Sequence, residues 1–461
     1  MTKRRNGFEI EREVHWTQLI RKYPSIDSIK GRHNKYCLEK YVEDYMSFLD
    51  KVRIPPQVVK EVIKRAEENN FSNKPSKKDN FYIVNEDLTS FALIKPGRAD
   101  LSKGLRIIYT HVDSPCLYVK PRPLLFEWDP EERDLHLGVE LDTVPYGGIN
   151  SWQWFGRPVE VVGWIIKKGR RREIKKNGFL ANINFHIDTK DRQTELEDAF
   201  KAEDLDVITG YKSRKELLKD FRFSSENDFA RATLYVVPKI KTQLVNDFIL
   251  GYGHDDKICL YSAVTALFET KPYYPCIVLG LDREEVGGGG PGGAEGKFFE
   301  EVLNILIKVK EGKRLEDITE ALQTRLFKKT LAICGDVDVG ATNADIDYAD
   351  IRNISRLGYG TYLSAEECSW EGNQLSKKVI DKVMQIYDKN KISFQISGIA
   401  GKADDVDAGG ITDLRFFVKR GIPTINSGVP VGSLHSPTEI AHKADLYWTI
   451  KAYKGILRSI N

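Results

Sequence analysis

The chain has 461 residues, of which 41% are hydrophobic and 30% charged, so it is long enough for a full hydrophobic core and for two domains. Lys and Arg total 70 against 67 Asp and Glu, and a formal charge of only +3 argues against nucleic acid as the main ligand. No run of about 18 uncharged apolar residues occurs, which excludes a membrane-spanning helix. The six cysteines form no CxxC pair and the first residues are charged, so we expect reduced thiols and a cytoplasmic protein.

Strands and helices alternate along most of the chain. Residues 38–70 have helical periodicity in two stretches separated by Pro55, and 105–109 is a short apolar strand after Gly104. Farther along, the pattern predicts helices over 257–270, 297–310, 376–390 and 445–460 and strands over 276–281 and 330–334. Such alternation predicts an α/β fold built on a mainly parallel sheet.

The block 121–240 has a different pattern, in which short alternating segments are separated by turn-rich or charged stretches. It predicts a β-rich domain inserted into one α/β domain that is formed by residues 1–120 and 241–461. A basic run at 167–176 lies between two of the strand-like segments. We interpret this run as a solvated hairpin rather than as a nucleic-acid site.

Acids and histidines follow several of the predicted strands, where ligands of open α/β sheets gather. His111 and Asp113 come after the strand 105–109. They point the same way in an extended segment, so Asp113 could hold the second nitrogen of a metal-bound imidazole. A turn histidine with a capping Asp is the alternative. Asp255 and Asp256 open the helix that follows His254, where helix capping is the alternative to a ligand role.

The strongest signal is the strand 276–281, which runs directly into Asp282, Glu284 and Glu285 and then into a glycine-rich turn at 287–293. Acids at the end of a buried strand cost free energy unless a cation or another partner compensates. The glycine spacing formally matches a dinucleotide fingerprint, but the two Glu would repel a pyrophosphate at that turn.

Two further motifs each contribute one candidate metal ligand. Asp336 follows the strand 330–334, and His435 lies in a loop close to the C-terminus. Two histidines and several carboxylates at element ends suit two divalent cations of the zinc type, which would activate water for hydrolysis.

The motifs THVDSP (110–115), HDDK (254–257), DREEVG (282–287), CGDVD (334–338) and SLHSP (433–437), in this order, resemble the dinuclear zinc aminopeptidases of the aspartyl aminopeptidase and vacuolar aminopeptidase I family. The likeness covers nearly the whole chain, including the β-rich insert, which is the dimerisation domain in that family. The resemblance implies a zinc-exopeptidase-like α/β/α catalytic domain with a central mixed, mainly parallel sheet. It also implies peptide substrates and a homo-oligomer, in relatives a tetrahedral dodecamer built from dimers.

The resemblance also implies roles for individual residues. Five of them would bind two divalent metal ions, with zinc expected and cobalt or manganese also compatible: His111, Asp255, Glu285, Asp336 and His435. Asp255 would bridge the ions, with His111 and Asp336 on one and Glu285 and His435 on the other.

Three more residues have roles by the same comparison. Glu284 would be the general base that takes a proton from the attacking water and returns it to the leaving amine. Asp113 would orient His111. His186 corresponds to an insert histidine that relatives place near the active site of a neighbouring subunit, and a cross-strand packing histidine is the alternative.

The chain departs from the family pattern in two places. The glycines at 287–293 replace a longer polar turn, and the stretch 358–373 contains Glu366, Glu367 and Glu371 but no Lys or Arg. Relatives that prefer acidic substrates have basic residues there, so we expect a preference for neutral or basic over acidic N-terminal residues. The alternative functions are a dinuclear metal-dependent deacylase or carboxypeptidase on the same fold, and a catalytically silent scaffold.

Overall fold

The structure is a computed structural model that describes residues 26–124, 138–182, 199–345, 347, 349–365, 377–398 and 412–460. Within these ranges no helix combines the length and the apolar character needed to cross a bilayer.

The central layer is an eight-stranded mixed sheet. In spatial order its strands are β1 (Phe81–Val84), β2 (Phe91–Lys95), β12 (Cys276–Leu281), β3 (Arg106–His111), β13 (Leu331–Cys334), β18 (Thr424–Gly428), β16 (Thr361–Ser364) and β17 (Phe394–Ser397). The four strands β12, β3, β13 and β18 are parallel neighbours. β12 and β13 are apolar, β3 and β18 also contain polar residues, and all four strands are almost entirely buried, as parallel strands covered by helices must be. The sequence-based expectation of an α/β fold with a mixed sheet is therefore confirmed.

The helices of the described ranges are α1 (Arg32–Lys51), α2 (Pro55–Glu68), α3 (Ser151–Trp154), α4 (Arg214–Phe221), α5 (His254–Phe268), α6 (Phe298–Glu311), α7 (Glu320–Phe327), α8 (Lys377–Lys389), α9 (Leu414–Lys419) and α10 (Lys443–Arg458). α1 begins six residues before the predicted helical stretch, at Arg32. α6 and α9 meet the sheet through Phe417, which stacks on Tyr109 of β3 with ring centroids 3.8 Å apart and contacts Phe299. α5 and α10 pack on each other and on β3, so one hydrophobic core joins sheet and helices.

A closed six-stranded barrel is inserted between β3 and α5. Its strands, in barrel order, are β4 (Cys116–Leu124), β5 (Glu140–Tyr146), β8 (Val207–Ile208), β7 (Arg170–Leu180), β6 (Arg157–Lys167) and β9 (Ala232–Pro238). The barrel encloses a hydrophobic core of its own around Trp154 and Val161. The basic run turns between β6 and β7 at Lys168 and Gly169, which both have positive φ, as a two-residue hairpin loop requires. The run therefore forms the hairpin that the sequence predicts.

A second sheet of six short strands lies beside the first and was not foreseen from the sequence. Its order is β10 (Gln243–Val245), β11 (Phe248–Gly251), β20 (Glu439–His442), β19 (Pro430–Gly432), β14 (Asp338–Ala341) and β15 (Ser355–Arg356). Because β11 leads into α5 and pairs with β20, this sheet brings the loop that contains His435 next to the start of α5. β14 begins two residues after Asp336.

Candidate metal centre

The carboxyl ends of three parallel strands place the acids and His111 at one edge of the main sheet. His111 is the last residue of β3 and pairs in register with Leu281, the last residue of β12. Asp282, Glu284 and Glu285 follow β12, and Asp336 follows β13. The parallel register therefore gathers side chains that are far apart in the sequence.

Two histidines face the two carboxylate oxygens of Asp255. Nε2 of His111 lies 2.9 Å from Oδ1 of Asp255, and Nε2 of His435 lies 3.4 Å from Oδ2. Asp255 is 5% exposed and His111 is 3% exposed, so water screens these contacts little. A carboxylate placed between two imidazoles in this way can bridge two cations.

Asp336 and Glu285 extend this row at its two ends. Oδ1 of Asp336 lies 3.5 Å from Nε2 of His111, and Oε2 of Glu285 lies 3.8 Å from Nε2 of His435. Ligand atoms of His111, Asp255 and Glu285 lie within 4.8 Å of one another. The structure thus brings together all five residues that the resemblance implied as ligands.

The electrostatics of the cluster also fit a bound cation. Oε1 of Glu285 is buried without a hydrogen-bond partner, and Oδ1 of Asp255 is close to Nε2 of His111 but makes no hydrogen bond to it. Burial, reinforced by Asp255, raises the pKa of Glu285 well above its usual range. Burial opposes protonation of His435, but the Asp255 carboxylate outweighs it and raises the pKa of His435 to about 9. Carboxylates crowded in this way require positive charge, and divalent metal ions would supply it.

Asp113 connects one histidine to the loop with the two glutamates. Its Oδ1 lies 3.3 Å from Nδ1 of His111, on the ring edge away from Asp255. The same carboxylate accepts the backbone N–H groups of Glu284 and Glu285 at 3.3 and 3.2 Å and the hydroxyl of Tyr146 at 2.8 Å. Asp113 therefore fixes the Glu284–Glu285 turn by hydrogen bonds and places a carboxylate oxygen beside Nδ1 of His111.

Glu284 lies in a single 3₁₀ turn, Glu284–Val286, at the rim of the cluster. Arg283 before this turn and Gly287 after it both have positive φ, so the chain reverses sharply here. Burial, reinforced by the nearby carboxylates of Asp336 and Asp413, raises the pKa of Glu284 well above its usual range. A carboxyl with a raised pKa is suited to accepting a proton near neutral pH.

Asp256 has a different position from the one that helix capping would require. No side chain caps the N-terminus of α5, and the 0% exposed Asp256 instead accepts the backbone N–H of His111 at 3.3 Å. The capping interpretation of Asp256 is therefore wrong. Asp256 also has a ligand atom close to those of His111 and Asp336.

Glu439 belongs to the site although sequence reasoning gave it no role. It is 1% exposed and accepts the backbone N–H of His435 at 3.1 Å and that of Asp255 at 3.2 Å. Glu439 thus ties together the backbones of two candidate ligands from separate parts of the chain. The available signal was its position four residues after His435.

Two sequence-based hypotheses concern residues outside the described ranges. His186 lies in the gap between 182 and 199, and Glu366, Glu367 and Glu371 lie in the gap between 365 and 377. Both hypotheses remain predictions.

The sequence is similar to known proteins over most of its length. A family profile described as aminopeptidase I zinc metalloprotease (M18) matches residues 48–457. A probable M18 family aminopeptidase 1 of Thermotoga neapolitana is 29% identical over 462 residues, which cover 93% of this chain and 97% of that protein.

Solved structures have the same fold. The crystal structure of an M18-family aminopeptidase from Thermotoga maritima has a TM-score of 0.84 at 26% identity and covers 95% of this chain and 100% of that one. A structure described as an S. cerevisiae mApe1 dodecamer has a TM-score of 0.70 at 16% identity and covers 91% of this chain and 96% of that one. At that identity the second likeness concerns the fold alone.

Proposed function

The chain belongs to the aminopeptidase I zinc metalloprotease (M18) family, and we propose that it removes the N-terminal residue from peptides at a centre of two metal ions. The observation that carries this proposal is the Asp255 carboxylate, whose two oxygens each face Nε2 of a different histidine. His111 and Asp336 would hold one ion, Glu285 and His435 the other, and Asp255 both. The family is one of zinc proteases, and cobalt or manganese would suit the same ligands.

Bound metals would supply Lewis acidity toward the peptide carbonyl and the attacking water. The protein's own part in the reaction is proton transfer and orientation. Glu284 would accept the proton of the attacking water and then deliver it to the leaving amine, since its carboxyl has a raised pKa at the rim of the cluster. Asp113 would keep His111 in place during both steps.

The excess of carboxylates supports an aminopeptidase rather than a deacylase or carboxypeptidase. With metals bound, Glu284 is the carboxylate of this group that is not a ligand and could attract a free α-ammonium group, whereas a deacylase or carboxypeptidase acting on a substrate carboxylate would need a cationic side chain to bind it. Hydrolysis of free-amine peptides and inactivity on their N-acetylated counterparts is the expected result. Faster cleavage of the acetylated set would contradict the proposal.

Replacement of the general base tests the mechanism. Glu284→Gln keeps the size of the side chain but removes its basicity, so we expect a loss of about 10²–10⁴-fold in kcat with metal still bound. Glu295→Gln is the matched control, because Glu295 is an exposed acid that closes the same glycine-rich turn. Activity of Glu284→Gln equal to that of the control would contradict the assignment.

The substrate preference rests on charge. Because the stretch 358–373 contains three Glu and no basic residue, neutral or basic N-terminal residues should be favoured over Asp and Glu. A panel of aminoacyl p-nitroanilides measures this preference. Fastest turnover of the aspartyl or glutamyl member would contradict it.

We also propose a homo-oligomer, with a tetrahedral dodecamer built from dimers as its form. The dodecamer named for the yeast structure supports this assembly for a protein of the same fold. Light scattering of the purified protein should then give a mass twelve times that of one chain, and a monomeric mass would contradict the proposal.

A further inference from the structure

We propose that the inserted barrel orients both histidines of the metal centre, through a segment that we call the barrel clamp (residues 146–154). This inference rests on the proposed metal-binding role of His111 and His435. The clamp begins at the last residue of β5 and includes the short helix α3. It belongs to the inserted domain, yet it contacts the ring of His435 directly and reaches the ring of His111 through Asp113, in each case on the side away from Asp255.

The first contact runs through Tyr146. Its hydroxyl donates a 2.8 Å hydrogen bond to Oδ2 of Asp113, while Oδ1 of Asp113 lies 3.3 Å from Nδ1 of His111. Tyr146 is 4% exposed, and its ring stacks on Tyr118 of β4 with centroids 4.6 Å apart. The barrel core therefore fixes the position of the hydroxyl, and the hydroxyl limits rotation of the carboxylate that orients His111.

The second contact is direct. Nδ1 of His435 lies 2.7 Å from the backbone carbonyl oxygen of Gly148. A carbonyl oxygen only accepts hydrogen bonds, so Nδ1 must carry the proton and Nε2 of a neutral ring keeps its lone pair toward Asp255 and Glu285. The clamp thus selects the tautomer of His435 that binds a metal through Nε2.

Further contacts hold the surrounding backbone. Nδ2 of Asn150 donates to the carbonyl of Leu434 at 3.3 Å, and Nε1 of the fully buried Trp154 approaches the carbonyl of His435 at 3.5 Å. Gly147 passes so close to Glu285 that a Cβ atom there would lie 2.9 Å from Oε2. The clamp therefore contacts the row directly at Glu285 and His435 and reaches His111 through Asp113, so a displacement of the barrel would disturb metal binding.

Metal affinity is the property that tests this inference. Tyr146→Phe removes one hydroxyl, and changes in groups that orient metal-bound histidines lower affinity by about 10–100-fold. The matched control is Tyr211→Phe. The hydroxyl of Tyr211 likewise donates a hydrogen bond to an aspartate, but this aspartate, Asp220, is not part of the metal centre. Zinc affinity is measured by competition with a chelating dye, and the visible spectrum of the cobalt-loaded protein reports the ligand geometry.

We expect about 10-fold weaker zinc binding and a shifted cobalt spectrum for Tyr146→Phe, and wild-type values for the control. If Tyr146→Phe melts earlier than the control in chelator, Gly148→Ala decides instead, since its added Cβ would lie 3.3 Å from Nδ1 of His435 and should shift the spectrum. Wild-type affinity and spectrum in both variants would overturn the inference. A wild-type protein that binds neither zinc nor cobalt would instead overturn the proposed function.

Discussion

Replacement of Glu439 should weaken metal binding without any change in the proposed ligands themselves. The carboxylate of Glu439 is the acceptor for the backbone N–H groups of His435 and Asp255, at 3.1 and 3.2 Å. Glu439→Ala leaves both N–H groups buried without an acceptor. Each such group costs about 1–3 kcal/mol, so the free energy of unfolding should fall by about 2–6 kcal/mol.

The lower half of that range is the better expectation for Glu439→Ala. Burial, reinforced by the Asp255 carboxylate, raises the pKa of Glu439 to about 8, which shows that the folded protein already bears a cost for this carboxylate. The zinc affinity should fall as well. Two ligand backbones lose their common anchor, and about 10–100-fold weaker binding is expected.

Asp445→Ala is the matched control for Glu439→Ala. Asp445 is also fully buried, has a pKa that burial raises to about 8, and accepts two backbone N–H groups, those of Gly358 and Gly360, both at 2.7 Å. Its partners are not metal ligands. The two variants should therefore lose similar stability, whereas only Glu439→Ala should lose zinc affinity.

Two measurements separate these effects. Urea denaturation in the presence of chelator gives the free energy of unfolding, and competition with a chelating dye gives the zinc affinity. Glu439→Gln keeps one acceptor oxygen and should be intermediate in both. Equal zinc affinity in Glu439→Ala and Asp445→Ala would refute the argument that the Glu439 hydrogen bonds position the ligands.

Three further outcomes are expected. Burial lowers the pKa of His442 to about 4 from an ordinary 6.5. The unfolded chain therefore takes up a proton first, and stability that is present above pH 6.5 is lost as the pH falls from 6.5 through 4. In acid titrations, the free energy of unfolding of the wild type should fall by on the order of 3 kcal/mol more than that of His442→Asn. Chelation should abolish peptide hydrolysis and lower the melting temperature. Where free zinc had been about 1,000-fold above its dissociation constant, its removal should lower the free energy of unfolding by about 4 kcal/mol. At Gly147 φ is +75°, and a Cβ atom there would lie 2.9 Å from Oε2 of Glu285. Gly147→Ala should therefore displace Glu285 and reduce kcat in steady-state assays. A wild-type kcat would contradict the close packing of Gly147 against Glu285.

Local sequence patterns predicted the main strands, the β-rich block and the position of most candidate ligands. The apolar strands before His111, Asp282 and Asp336 are continuous runs, and a buried parallel strand is the element that such runs predict. Parallel strands deliver their carboxyl ends to one edge, so the acids and His111 could be expected together before their distances were known. The β-rich block was visible because its alternation differs from the helical periodicity on either side.

The tertiary structure alone decided how the cluster is held. The second sheet consists of strands of two to four residues, too short for a periodic signal, yet it places Glu439 against the N–H groups of His435 and Asp255. The acceptor for Nδ1 of His435 is a backbone carbonyl, that of Gly148, and every residue has one. The sequence left helix capping open for Asp256, and the fold instead uses its carboxylate to accept the N–H of His111. Side-chain type and spacing can indicate which groups bind metal, but backbone donors and acceptors have no identity in sequence, so their partners emerge only when the chain is folded.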